Sequence, residues 1–156
     1  MYELSAGVFE NHGADLDHKT HEGYHTDLML YSNGLTLQKN ENDPYLFSGK
    51  GNAIHFKMFS SNGKNLDNGE YTFSTTAPFK VRTFDYGHFA VNLDFGYNGF
   101  QTVDSKDIYT IVDGKVSVTR NGSEYTIIID CIYQNGYNVT GYYKGELPLI
   151  DWPIFN

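Results

Sequence analysis

Residues 113 to 147, DGKVSVTRNGSEYTIIIDCIYQNGYNVTGYYKGEL, limit the possible folds more than any other part of the chain. Asn121-Gly122 and Asn135-Gly136 each sit between runs of alternating apolar and polar residues, and Asp113-Gly114 opens the first run. Asn-Gly and Asp-Gly are the strongest short hairpin signals, because both central residues of a type I′ turn need positive φ. The stretch therefore reads as three consecutive antiparallel strands, a β-meander. Its inward set is Val116 and Val118, then Tyr125, Ile127 and Ile129, then Val139, Gly141, Tyr143 and Leu147. Cys131 falls on the same face as Ile127 and Ile129, which makes it a buried small hydrophobe rather than a nucleophile. It is the single cysteine, so no internal disulfide can form.

The rest of the chain repeats the pattern less cleanly. Strands are expected at 2–10, 24–32, 53–59 and 70–75, and a further pair at 79–85 and 87–95 turns at Tyr86-Gly87. A weaker strand spans 103–112. Residues 11–23, NHGADLDHKTHEG, read as an exposed polar loop and 38–52 as a long polar connection containing Pro44. The tail, with Trp152 between two prolines, suits a segment packed across an opening or an edge. With 24 Tyr and Phe together (13 and 11), 16 Gly and only 4 Pro, the composition favours strands and tight turns over helices. Sequential hairpins of this kind make a single all-β domain over 1–156, an antiparallel meander barrel of about eight strands, because closure removes exposed edges. A two-sheet sandwich is the alternative.

Charge and hydropathy narrow the partners. A net charge of −8 and no basic run exclude a nucleic-acid partner. No stretch reaches the roughly 18 to 20 apolar residues of a spanning helix, so the chain is not expected to be transmembrane. Its start, MYELSAGVFE, lacks the basic, long apolar pattern of an export signal, which leaves a cytoplasmic chain or a mature form after export.

Two groups of residues carry chemistry. His12, His18, His21 and His25 lie with Asp15, Asp17, Glu22 and Asp27 inside sixteen positions. Imidazoles and carboxylates suit zinc, and His12, His18, His21, His25, Asp15 and Asp17 are the candidate ligands, although the spacing matches no named motif. The bland reading is a solvated loop that takes up zinc adventitiously, with no cofactor. His55 and His88 alternate with apolar residues on outward faces and read as surface histidines. The second group is aromatic: Tyr109 and Tyr142, expected outward, and Tyr45, Tyr97, Phe100 and Tyr137 in or beside turns could stack on a glycan or an apolar small molecule. Neither Gly-x-Ser-x-Gly nor His-Glu-x-x-His occurs, so a catalytic constellation is not expected.

The meander also carries a resemblance. GKVSVTRNGSEYTIIIDCIYQNG followed by VTGYYKGELP resembles the C-terminal part of small secreted proteins and lipoproteins of Bacteroidetes, and LDNGEYTF at 66–73 is similar to their Leu-Pro-x-Gly-Thr-Tyr-Thr-Phe. Asp67 stands where that pattern has Pro, and Glu70 where it has Thr. The resemblance implies a lipocalin-like domain, secreted or in the cell envelope, with any lipid anchor outside the residues of this sequence. It implies no catalytic residue. The expectation is a non-enzymatic binding module for a small apolar or carbohydrate ligand. The alternatives are a structural or protein-interaction domain and, third, a metal-dependent enzyme using the histidine-rich loop 11–25.

Overall fold

The computed structural model describes residues 2–38, 46–95 and 108–151. Among the described residues there are eleven strands and no helix: β1 (Tyr2–Leu4), β2 (Ala6–Ala14), β3 (Tyr24–Tyr31), β4 (Leu35–Gln38), β5 (Leu46–Ser60), β6 (Gly69–Phe73), β7 (Thr83–Asp94), β8 (Ile108–Asn121), β9 (Glu124–Tyr133), β10 (Asn138–Glu146) and β11 (Leu149–Asp151). They join in the order β1-β10-β9-β8-β6-β7-β5-β3-β2-β11, with β4 added on β5. Only Ser5 separates β1 from β2. β1 lies parallel to β10 while β2 lies between β3 and the parallel β11, so the N-terminal run sits beside the C-terminal one and the sheet is strongly curled and barrel-like. The all-β, barrel-like expectation holds.

The meander forms β8, β9 and β10, with Gly122 (φ 63°) and Gly136 (φ 83°) in the two turns. Its whole inward set is buried. Leu28, Leu30, Phe56, Met58, Tyr71, Phe84, Val116, Ile127 and Cys131 each have 0 % exposure, so no space wide enough for a water molecule borders them. The barrel interior around these side chains is packed with protein, and a ligand-sized hollow there is ruled out.

Five local expectations are corrected. Asp113-Gly114 does not open a strand; it lies inside β8, where the register with β9 shifts between Ile111 and Asp113 and Gly114 takes φ 120°. A Cβ at Gly114 would stand 2.5 Å from the Asp130 carbonyl oxygen, so the glycine serves the close approach of β9 rather than a turn. Tyr86-Gly87 is no turn either, because β7 runs through it unbroken. β5 begins at Leu46, so much of the expected 38–52 connection is strand paired with β4. β2 continues to Ala14 and places His12 in a strand, not in a loop. Tyr109 is half-buried, packed against the edge of the main core, rather than fully outward.

The face of the sheet opposite the main core carries a second apolar cluster of Tyr31, Leu35, Phe47, Ala90, Leu93 and Phe95. Leu93 and Phe95 would share a face with core residue Phe89 in a regular strand. The ladder between β5 and β7 shifts between Gly51 and Ala53, and Asn92 takes φ 56°, which turns them to the other side.

Candidate metal centre

Three strands build a polar centre on this opposite face. In the β2–β3 ladder Glu10 pairs with Asp27, and Gly13 pairs with His25 after a register shift that leaves His12 as the extra residue of a bulge. The Asn11 side-chain oxygen accepts from the Gly13 backbone N–H at 2.8 Å and Gly13 takes φ 90°, which fixes the bulge. A bulge re-aims its extra side chain. Here the His12 ring stacks on the His25 ring at 4.6 Å between centroids.

The atoms meet around Asp27. Its Oδ1 accepts from His25 Nε2 at 2.8 Å, and its Oδ2 is 3.0 Å from His12 Nε2 and 3.6 Å from His55 Nε2. His12 Nε2 is also 3.0 Å from Oε1 of Glu10, whose side chain is 5 % exposed. One ligand atom from each of His12, His25 and Asp27 falls within 4.8 Å of the others. Ligands bound to a tetrahedral zinc at 2.0–2.1 Å stand roughly 3.3 Å apart, and the observed separations of 2.8, 3.0 and 3.6 Å bracket that spacing. Two imidazoles and two carboxylates make a donor set suited to a first-row divalent cation, with His55 beside it. Burial alone would raise the Asp27 carboxyl. The imidazoles of His25 and His55 outweigh that and hold it well below the usual carboxylate range, so Asp27 is an anion whenever the histidines are available.

The other expected ligands go elsewhere. Asp15 serves its own turn: its carboxylate accepts from the backbone N–H groups of His18 and Thr20 at 2.9 and 3.0 Å and from the Thr20 hydroxyl. The Thr20 hydroxyl and these backbone N–H groups hold its carboxyl far below the usual range. His18 and Asp17 are exposed and outside the cluster. His21 packs its ring on Phe59 at 4.8 Å, and its Nδ1 lies 3.2 Å from the Glu22 carbonyl oxygen. Cys131 lies in the main core, where burial pushes its thiol up to about 12. The centre recruits Glu10 and His55, which the loop reading left out. The signal for them was strand alternation: once β2, β3 and β5 are aligned, Glu10, Asp27 and His55 fall on one face.

Of the expected aromatic residues, Tyr109 and Tyr137 both lie against Tyr133, at 4.9 and 5.9 Å between ring centroids. Tyr142 is exposed on the far side of β10, opposite Ile128. Tyr45, Tyr97, Phe100 and Trp152 lie outside the described residues. The aromatic set is thus divided and forms no single stacking surface among the described residues. No helix of the described residues is long and apolar enough to cross a membrane. No protein-family model, curated protein or solved structure matches the chain.

Proposed function

We propose that this protein belongs to the class of non-enzymatic β-barrel binding modules, and that its ligand is a divalent first-row transition metal of the zinc type. His12, His25 and Asp27 hold the ion, with Glu10 as the second carboxylate and His55 at hand for a fourth or fifth position. The observation that carries the reading is the convergence of the His12, His25 and Asp27 ligand atoms within 4.8 Å, from adjacent strands and across the bulge at which His12 is the extra residue. Strands hold ligands more rigidly than a loop does, which favours a defined geometry over adventitious uptake. The two carboxylates balance the charge of a divalent ion, so neutral imidazoles complete an uncharged centre. Residence in the cell envelope or outside the cell goes with this proposal, on the strength of the strand-and-turn resemblance.

Calorimetric titration of the whole chain with zinc chloride at pH 7.5 tests it. One site with Kd tighter than about 10 μM is expected. His12→Ala and His25→Ala should each weaken it by at least tenfold, and His18→Ala should leave it unchanged. Equal loss in all three variants, or no saturable site, would overturn the proposal.

A further inference from the structure

We propose that the outer edge of β4, with the groove beside it, is a docking site for an extended segment of a partner protein, apolar at alternate positions and carrying a basic residue, which adds to the sheet as a further strand. β3 and β4 run one after the other along the same edge of β5. β2 covers the far side of β3 as far as the Ala6–Tyr31 pair, and the Ser5 backbone N–H donates to the Tyr31 carbonyl at 2.9 Å. The chain before Ser5 would next lie against β4, but Tyr2–Leu4 pairs with β10 instead. Among the described residues, no strand pairs with the far side of β4. A groove of about 310 Å³ opens beside it, walled by Leu37, Ala6, Val8, Tyr31, Leu149 and Ile150.

The backbone of β4 determines what fits. The Lys50 N–H donates to the Gly34 carbonyl at 3.1 Å, while the Gly49 carbonyl accepts from the Phe95 N–H on the other side of β5, also at 3.1 Å. Backbone groups alternate in direction along a strand, so Gly34, Thr36 and Gln38 turn theirs toward β5, and Leu35 and Leu37 turn theirs away. The Leu35 N–H bonds within its own turn, to the Ser32 carbonyl at 3.3 Å. That leaves the Leu35 carbonyl and both the N–H and the carbonyl of Leu37 on the outer edge, at the spacing of a strand. An added strand matches such a row. The edge also lacks the devices that keep strands from pairing: Leu35–Gln38 has no charge and no proline, and its ladder with β5 has no bulge. Directly opposite residues send their side chains to the same face. A guest residue opposite Leu37 therefore turns its side chain, like that of Leu37, to the apolar groove. Exposed Glu146 lines the same groove and the chain carries a net charge of −8, which favours a guest with Lys or Arg.

The probe is the fluorescein-labelled, amidated heptapeptide Lys-Val-Thr-Val-Thr-Val-Lys, and its binding to the full-length chain is followed by anisotropy in buffer containing EDTA. Saturable binding with Kd of about 100 μM or tighter is expected. In the proposed pairing every Val N–H faces β4 and every Thr N–H faces away. N-methylation of the central Val should therefore weaken binding at least about tenfold, the size of one net hydrogen bond, and N-methylation of one Thr should change it by less than about twofold. Leu37→Pro removes an N–H that β5 does not use, so the variant should keep its far-ultraviolet circular dichroism and lose at least about tenfold in affinity. If that variant does not fold, hydrogen exchange on the unaltered chain decides. The Leu37 N–H should exchange fast alone and at least about tenfold more slowly with saturating probe, whereas the Thr36 and Gln38 N–H groups should be slow in both. Absence of saturable binding, equal effects of the two N-methyl groups, or a Leu37 N–H already slow in the chain alone would each overturn the proposal.

Discussion

Gly87→Ala tests whether β7 is one strand, because the two readings of Tyr86-Gly87 make opposite demands on residue 87. Gly87 lies directly opposite Phe56 in the β5–β7 ladder. A Cβ added there would stand 2.7 and 2.9 Å from two carbons of the Phe56 ring and 3.2 Å from Ile111 Cδ1. Carbon atoms rest at roughly 3.5–4.0 Å, so the ring must retreat by several tenths of an ångström. It has nowhere to go: Phe56 is 0 % exposed and Phe84 packs edge-on against it at 5.2 Å. Overpacking of this kind costs about 1–3 kcal/mol, and the stiffer unfolded chain returns about 0.4–1 kcal/mol. The net loss is about 1–2 kcal/mol, which lowers Tm by about 2–8 °C for a chain of this size. Urea unfolding followed by far-ultraviolet circular dichroism gives the free energy, and a thermal scan gives the shift. Phe56→Leu should cost stability by itself, yet it should recover part of the loss when combined with Gly87→Ala, because the smaller side chain yields. A Gly87→Ala variant as stable as the parent, or a double variant that loses the sum of the two single effects, would refute the packing argument.

Other outcomes follow from the same structure. At Gly141 an added Cβ would meet the tip of Ile129 at 3.2 Å and Leu4 at 3.6 Å; Gly141→Val should cost about 1–3 kcal/mol, read as a lower urea midpoint, while Gly141→Ala should cost less than Gly87→Ala. The Tyr71 hydroxyl accepts from the Asp67 backbone N–H at 2.8 Å and lies 3.0 Å from Ser60 Oγ at a buried site; Tyr71→Phe should lose about 1–3 kcal/mol by leaving those groups unpaired, and an unchanged midpoint would mean that water replaces the hydroxyl. Zinc affinity should fall on acidification, because imidazole binds metal only when neutral and protons then compete with the ion for two histidine ligands. Calorimetry at pH 5.5, 6.5 and 7.5 checks this; a pH-independent affinity would exclude histidine ligation.

What the chain reveals of itself differs between local and long-range features, and the glycines show why. Gly122 and Gly136 follow Asn between two alternating runs, so the turn demands only what four neighbouring residues supply. Gly87 follows Tyr between two runs that also alternate, and looks the same at that range. The demand at Gly87 comes from Phe56, thirty-one positions away on the neighbouring strand, and becomes visible only when β5 and β7 are in register. Gly114 is a further case: Asp-Gly signals positive φ, and here it is used inside β8, where the backbone of β9 leaves no room for a Cβ, and not at a hairpin. The metal centre follows the same division. The density of His and Asp between 12 and 27 is legible locally and marks the right neighbourhood. Convergence depends on pairing: His12 reaches Asp27 as the extra residue of the β2 bulge, and Glu10 meets His12 and His55 approaches Asp27 because adjacent strands place alternate residues on one face. His18 and Asp15 have the right chemistry and fall in a turn, where Asp15 spends its oxygens on backbone N–H groups. A cluster read as a loop therefore lists ligands by proximity along the chain, whereas the ladder selects them by face, and the face is what a bound cation senses.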